Sequence, residues 1–166
     1  MTSSTNIAVQ VATRSRSVPT SNDLAGWARG VLDALGRSGS LTLRLVDRTE
    51  GERLNERYRR ALGKSGPTNV LSFSYEPTNG LPAELDSDAL GDVVLCAPVI
   101  TAEAHAQAKT SSDHWAHLVV HGVLHLLGYD HDNRARAEQM EALERRLLRG
   151  YGVSDPYASR AGDLSG

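Results

Sequence analysis

The stretch that most constrains this chain is HGVLHLLGYDH, residues 121 to 131. His121 and His125 stand four apart, so on a helix, at about 100° per residue, they share one face about a turn apart. That separation lets two imidazoles reach one metal ion. Leu118, Val119, Leu124, Leu126 and Leu127 around them are apolar and helix-compatible. Gly128 is the expected helix stop, because glycine adopts positive φ at little cost. The chain can then turn and bring His131 back over the same face as a third ligand. Three histidines leave one tetrahedral position free, and an open position separates a catalytic zinc site from a closed structural one. The competing reading is a pair of hydrogen-bonded core histidines. Three histidines in eleven residues, with a glycine between the pair and the third, weigh against it.

The rest of the chain supplies a frame for that helix. At 166 residues it is expected to form one domain spanning residues 1–166, with a short polar tail from about 157. Ile7, Val9 and Val11 alternate with polar or small residues as a half-buried strand. LTLRLVD (41–47) and NVLSFSY (69–75) read as two more, and LGDVVLCA (90–97) is an apolar run suited to a strand covered on both faces. Helices are expected over about 20–36, from a capping box at Thr49 to Glu52 through Leu54, Asn55, Tyr58 and Arg59, and over 98–109. Ser111, Ser112 and Asp113 offer an N-cap for the histidine helix. A last helix, about 133–149, carries Met140, Leu143 and Leu147 as its apolar stripe. Its acids, Glu138, Glu141 and Glu144, precede Arg145, Arg146 and Arg149, the order the helix dipole favours. Gly63 to Pro67 and residues 76 to 88 read as breaks. About four strands, mostly early, and about five helices make an α+β or mixed α/β layer domain, with one side of the sheet carrying the metal helix.

Bulk properties exclude several classes. A net charge of −2 gives no global basic field, so any nucleic-acid contact has to rest on a local patch. Cys96 is the only cysteine, which rules out an intrachain disulfide, and inside VVLCAPVI its expected role is packing. The amino terminus has no charged segment leading into a long apolar one, and no window approaches 18 apolar residues, so neither export nor membrane insertion is expected. The cytoplasm is the expected location.

The chemistry follows from what surrounds the histidines. Zincin peptidases place a glutamate directly after the first histidine as general base; here that position is Gly122. A three-histidine ion still lowers the pKa of bound water to about 7, and a phosphodiester suits it better than an amide. A phosphate needs cations, and the local basic cluster is Arg53, Arg57, Arg59, Arg60 and Lys64, most of it expected to be a solvated helix face. Arg59, just before the helix breaker, is the exception, since its planar fork can grip a phosphate in two places. His117, one turn from His121, is placed as a neighbour of the ligands. His114 lies about 10 Å from His121 along the axis, too far for the same ion, and is read as surface or substrate-contacting. Asp130 and Asp132 flank the third ligand as turn residues or histidine-orienting carboxylates.

HGVLHLLGYDH resembles the signature of the YbeY family of bacterial metal-dependent endoribonucleases. LNERYRR, PTNVLSFSYE, LGDVVLCAPVI and MEALERRLLRGYGVSDPY resemble the family in the same order, so the likeness runs from about residue 41 to 157. The first forty residues match only loosely. The resemblance implies His121, His125 and His131 as ligands of one zinc ion, other divalent metals being possible, and Arg59 as the basic residue facing the metal. It implies cleavage of single-stranded RNA, with roles in 16S rRNA 3′ end maturation, late small-subunit assembly and ribosome quality control. It also implies contact with small-subunit ribosomal proteins or an assembly GTPase, and neither DNA nor a membrane as partner. The family commonly has Asp where this chain has Asn69, so Asn69 is given no catalytic role. The alternatives are a ribosome-assembly binding factor with a largely structural metal, and another metal-dependent hydrolase.

Overall fold

The computed structural model describes residues 5–62, 69–74, 89–129, 133–153 and 155–156, with side chains excepted at 58–62 and 74. Four strands and five helices follow in the order β1 (Asn6–Val11), α1 (Ser21–Ala34), β2 (Ser40–Val46), α2 (Arg48–Leu62), β3 (Val70–Ser74), β4 (Ala89–Cys96), α3 (Ala97–Ala106), α4 (Ser111–Leu126) and α5 (Arg134–Gly150). The mixed α/β expectation is met. The expected breaks at 63–67 and 76–88 and the polar tail from 157 lie outside the described residues.

One open sheet, in the order β1-β2-β4-β3, organises the fold. β1 and β4 both run parallel to β2, while β3 pairs antiparallel with β4 at the edge. Period-2 alternation decides which residue meets which layer. Leu41, Leu43, Leu45, Val93 and Leu95 point into the main core, which α1, α4 and α5 share. Val46, Leu71, Val94 and Cys96 point the other way, into a smaller cluster closed by Leu54 of α2 and Val99 of α3. β4 is therefore buried on both faces, as its apolar run requires. Cys96 is packed in this cluster, and burial raises its thiol pKa, which makes it inert.

Helix ends obey local chemistry, with two departures from expectation. Thr110, one residue upstream of the expected caps, takes the Asp113 backbone N–H of α4 at 3.1 Å. α2 begins at Arg48, so Thr49 lies inside the helix rather than opening a capping box. Asp47 is the residue before it; its carboxylate accepts the Thr13 hydroxyl and the Arg14 backbone N–H and so ties down the segment after β1. α1 is capped by Thr20 and seats Leu24, Trp27, Val31 and Leu32 in the core, the face its spacing indicates. Arg44 of β2 reaches across to α2 with a two-pronged pair to Glu50, 2.7 and 3.0 Å, and a third bond to Gln10 of β1 at 3.0 Å.

α4 is the element the layers enclose. It meets the sheet at Gly122, where a Cβ would stand 2.6 Å from Val93 Cγ1 and 3.0 Å from Val70 Cγ2. Ser72 of β3 donates its hydroxyl to the Gly122 carbonyl at 2.7 Å. This approach requires hydrogen at position 122.

Two predictions follow from this packing. In an open helix Gly→Ala stabilises by up to about 1 kcal/mol, and Gly26 on α1, exposed with nothing within 4 Å of a built Cβ, is such a site. Gly26→Ala is expected to raise the urea midpoint, whereas Gly122→Ala should destabilise by about 1–3 kcal/mol through overpacking. Equal effects at the two positions would contradict the close seat. The hydrogen bond from Arg44 holds the Glu50 carboxyl below the usual carboxylate range. Its stabilisation is present above the ordinary carboxylate pKa and is lost as pH falls through the lowered value. Glu50→Gln should therefore lower stability by less than about 1 kcal/mol at pH 7, with the gap to wild type closing in acid when urea titrations are repeated down the pH scale.

Candidate metal centre

Along α4, almost every side chain from 114 to 126 is buried; the exceptions are His117, His121 and His125. Four-residue steps place these three on one gently drifting stripe. Their rings follow one another, 6.0 Å between the centroids of His117 and His121 and 4.6 Å between those of His121 and His125. The pair read from the sequence is thus side by side on the one partly open face of an otherwise enclosed helix. The helix ends as Gly128 requires. Gly128 has φ +101°, its N–H bonds the His125 carbonyl at 3.0 Å, and the Tyr129 N–H bonds the Leu124 carbonyl at 3.0 Å, a Schellman closure.

Behind the stripe lies a residue that spacing had assigned to the helix dipole. Glu144 of α5 is 0% exposed and sits between Met140 and Leu148 on the buried face of its helix. Its Oε2 is 2.8 Å from His117 Nε2 and its Oε1 is 2.9 Å from His121 Nδ1. Burial acts to raise the carboxyl pKa, but the hydrogen bonds from His117 and His121 outweigh it and push the value down to about 2. Glu144 is therefore a buried carboxylate. The sequence carried a signal for it: position 144 is four residues from Met140 and four from Leu148, so a charge interrupts the core stripe. The expected stripe residues Leu143 and Leu147 are only partly buried beside it.

His117, His121 and Glu144 each offer a ligand-type atom within 4.8 Å of one another, a group that could hold a metal ion. The donor set fits a divalent metal: imidazoles on a rigid helix with a carboxylate in contact with two of them. His125 extends the same stripe by one more imidazole. Of the other expected site residues, His131, Asp130 and Asp132 lie outside the described residues. Arg59 lies on α2, whose described side chains end at Arg57; Arg53 and Arg57 are exposed, the solvated face expected of them.

His114 corrects the expectation that it is surface or substrate-contacting. It is 4% exposed, with Nε2 3.0 Å from Glu103 Oε1 of α3. Burial lowers its pKa, against the opposing pull of Glu103. A helical wheel places His114 near the angle of His121, but Glu103 of α3 packs against His114. The same Glu103 oxygen accepts the Asn69 side-chain amide at 2.7 Å. Position 69 thus needs a donor here, and an aspartate would set two carboxylates face to face. The Asn69 amide thus ties the start of β3 to α3.

Comparisons with known proteins place the chain in a family. Residues 9–152 match the family described as Endoribonuclease YbeY. The Endoribonuclease YbeY of Halorhodospira halophila is 53% identical over 144 residues, covering 87% of this chain and 91% of its own. That of Alkalilimnicola ehrlichii is 55% identical over 133 residues, 79% of this chain and 77% of its own, and that of Nitrosococcus oceani is 44% identical over 156 residues, 94% and 99%. Among solved structures, the solution structure of TM1509 from Thermotoga maritima matches with a TM-score of 0.50 at 19% identity, covering 89% of this chain and 97% of its own, a likeness of fold. With the family match spanning residues 9–152 and relatives 44–55% identical over 77–99% of their own length, the chain belongs to the YbeY endoribonuclease family.

Proposed function

We propose that this chain is a metal-dependent endoribonuclease that cuts single-stranded RNA, with His121, His125 and His131 as ligands of one zinc ion and Arg59 as the cationic residue of the reaction. The observation that carries this reading is the His121–His125 pair, rings 4.6 Å apart on the only open stripe of a buried helix, in a chain of this family. A helix held on several sides presents its imidazoles in fixed directions, which a metal site needs. When bound, a divalent ion supplies Lewis acidity toward a phosphate oxygen and lowers the pKa of water.

The residues of the chain do the remaining work. His121 and His125 bind and orient, and the apolar residues flanking them keep solvent off the back of the site. Arg59 offers a guanidinium fork to a non-bridging phosphate oxygen and balances the charge that develops there. Gly122 cannot serve as a general base, and its seat against Val93 leaves no room for one, which disfavours peptide hydrolysis. In the cell the proposed substrate is ribosomal RNA, with action at the 16S rRNA 3′ end, in late small-subunit assembly and in ribosome quality control. Small-subunit proteins or an assembly GTPase are the proposed partners, in the cytoplasm. No helix among the described residues is long and apolar enough to cross a membrane. One domain is proposed to carry the whole activity.

Two variants separate binding from chemistry. His125→Ala is expected to lose both bound metal, read by elemental analysis, and cleavage of a single-stranded RNA. Arg59→Glu should keep the metal while cleavage falls about a hundredfold or more. Undiminished cleavage by rigorously purified His125→Ala protein would overturn the proposal, and turnover of peptides in place of RNA would replace it with a different hydrolase.

A further inference from the structure

We infer that Glu144 is a positioning residue: held behind the histidine stripe, it sets which nitrogen of His121 faces the metal, and it is not itself a ligand. The inference rests on the metal site proposed above and concerns a residue of a different helix.

The argument starts from donors and acceptors. An ionised carboxylate only accepts hydrogen bonds, so a ring nitrogen within hydrogen-bond distance of it carries the proton. Glu144 Oε1 faces His121 Nδ1 at 2.9 Å, and Oε2 faces His117 Nε2 at 2.8 Å. His121 is thereby held with its proton on Nδ1 and its lone pair on Nε2. His117 is held in the opposite tautomer. A neutral imidazole outside such a contact exchanges between two tautomers, and only one presents the right nitrogen to an ion. The same contact fixes the ring about its χ2 bond.

Geometry also distinguishes a carboxylate behind the ligands from a carboxylate among them. Ligand atoms about 2.0–2.1 Å from a tetrahedral ion stand about 3.3 Å from each other. Separations of 2.8 and 2.9 Å are hydrogen-bond lengths. Glu144 is fully buried, whereas His117 and His121 keep 14% and 22% of their side chains exposed. The imidazoles are thus reachable from solvent while the carboxylate is not. Met140 and Leu148 continue the same buried face on either side of position 144.

The test is a set of long-range 1H–15N spectra of the histidine rings, recorded on the full chain without metal and with one equivalent of zinc, beside zinc affinity from competition with a chromophoric chelator. In metal-free wild type His121 should carry its proton on Nδ1; on zinc addition Nε2 should become the ligand nitrogen while the Nδ1 proton is retained. Glutamine at 144 keeps the volume but can accept from only one ring through its single carbonyl oxygen. Glu144→Gln should therefore mix the tautomers of His117 and His121 and weaken zinc about ten- to a hundredfold, with Glu144→Asp recovering part of the loss. A residue that merely held the fold would lower the melting temperature without moving the tautomers. Ligation of His121 through Nδ1, a proton on Nε2 in the metal-free wild type, or zinc affinity within twofold of wild type in Glu144→Gln would each overturn the inference. The wild-type spectra decide it even if the variants do not fold. If wild type bound no zinc while His121 kept its Nδ1 proton, the metal-site proposal would fail and Glu144 would remain a tautomer-setting residue without a ligand to serve.

Discussion

The contact on which the structure depends is the seat of α4 on the sheet at Gly122. With no side chain at that position, helix and strands approach until Val93 and Val70 touch the helix backbone and Ser72 bonds its carbonyl. The remaining faces of α4 are then covered by α1, α3 and α5, which leaves one narrow stripe open. A side chain on such a helix has little freedom to move its Cα, so the spacing of His117, His121 and His125 is a property of the frame. Sites built on helices hold their geometry more closely than sites on loops. The frame and the stripe are therefore one design, since the packing that buries the helix also leaves open the positions that carry imidazole.

Glu144 is the costliest part of that design. Moving an ion out of water costs several kcal/mol even after relaxation, and only good hydrogen bonds offset it. Two ring N–H groups at 2.8 and 2.9 Å supply them, and they keep the carboxyl ionised despite complete burial. The price in stability is hard to explain by folding alone, because an apolar residue would complete the face that Met140 and Leu148 begin. The Glu103 contacts to His114 and Asn69 differ in kind. There a third-exposed carboxylate links the end of one strand to two helices, and its histidine is the more deeply buried partner.

What was legible in the sequence was whatever local periodicity controls. Among the described residues the four strands, the five helices and the pairing of His121 with His125 all follow from spacings of two or four residues and from glycine stops, Gly128 above all. What escaped depended on neighbours distant in the chain. Glu144 looked like one of three acids placed for the helix dipole, because nothing local says that α5 turns that face toward α4. His114 looked accessible because a wheel does not know that Glu103 of α3 packs against it. The N-terminus of α2 was misread by two residues because Asp47, which reads as the last residue of a strand, opens the helix with its carbonyl and ties Thr13 with its carboxylate. In each case a local rule was overruled by a contact across 23 residues or more, or by a helix packed on top.

The placement of charge bears on what kind of substrate the site suits. The chain carries a net charge of −2, so a polyanion gains nothing from its overall field. Attraction has to be local, and in the proposed site it comes from an ion held by the histidines and from Arg59 of α2. A carboxylate in the same coordination sphere would cancel part of that ion's charge and repel a phosphate oxygen arriving beside it. On the proposed arrangement Glu144 avoids this, because it lies on the far side of the imidazoles and its charge is absorbed by their N–H groups. It strengthens the histidines as ligands while leaving the face that meets the substrate positive. An amide has no charge to attract and gains less from that separation, whereas a phosphodiester gains at each oxygen it presents. If Glu144 lies behind the ligands as inferred, the face that meets the substrate keeps the ion's positive charge, which suits a phosphodiester.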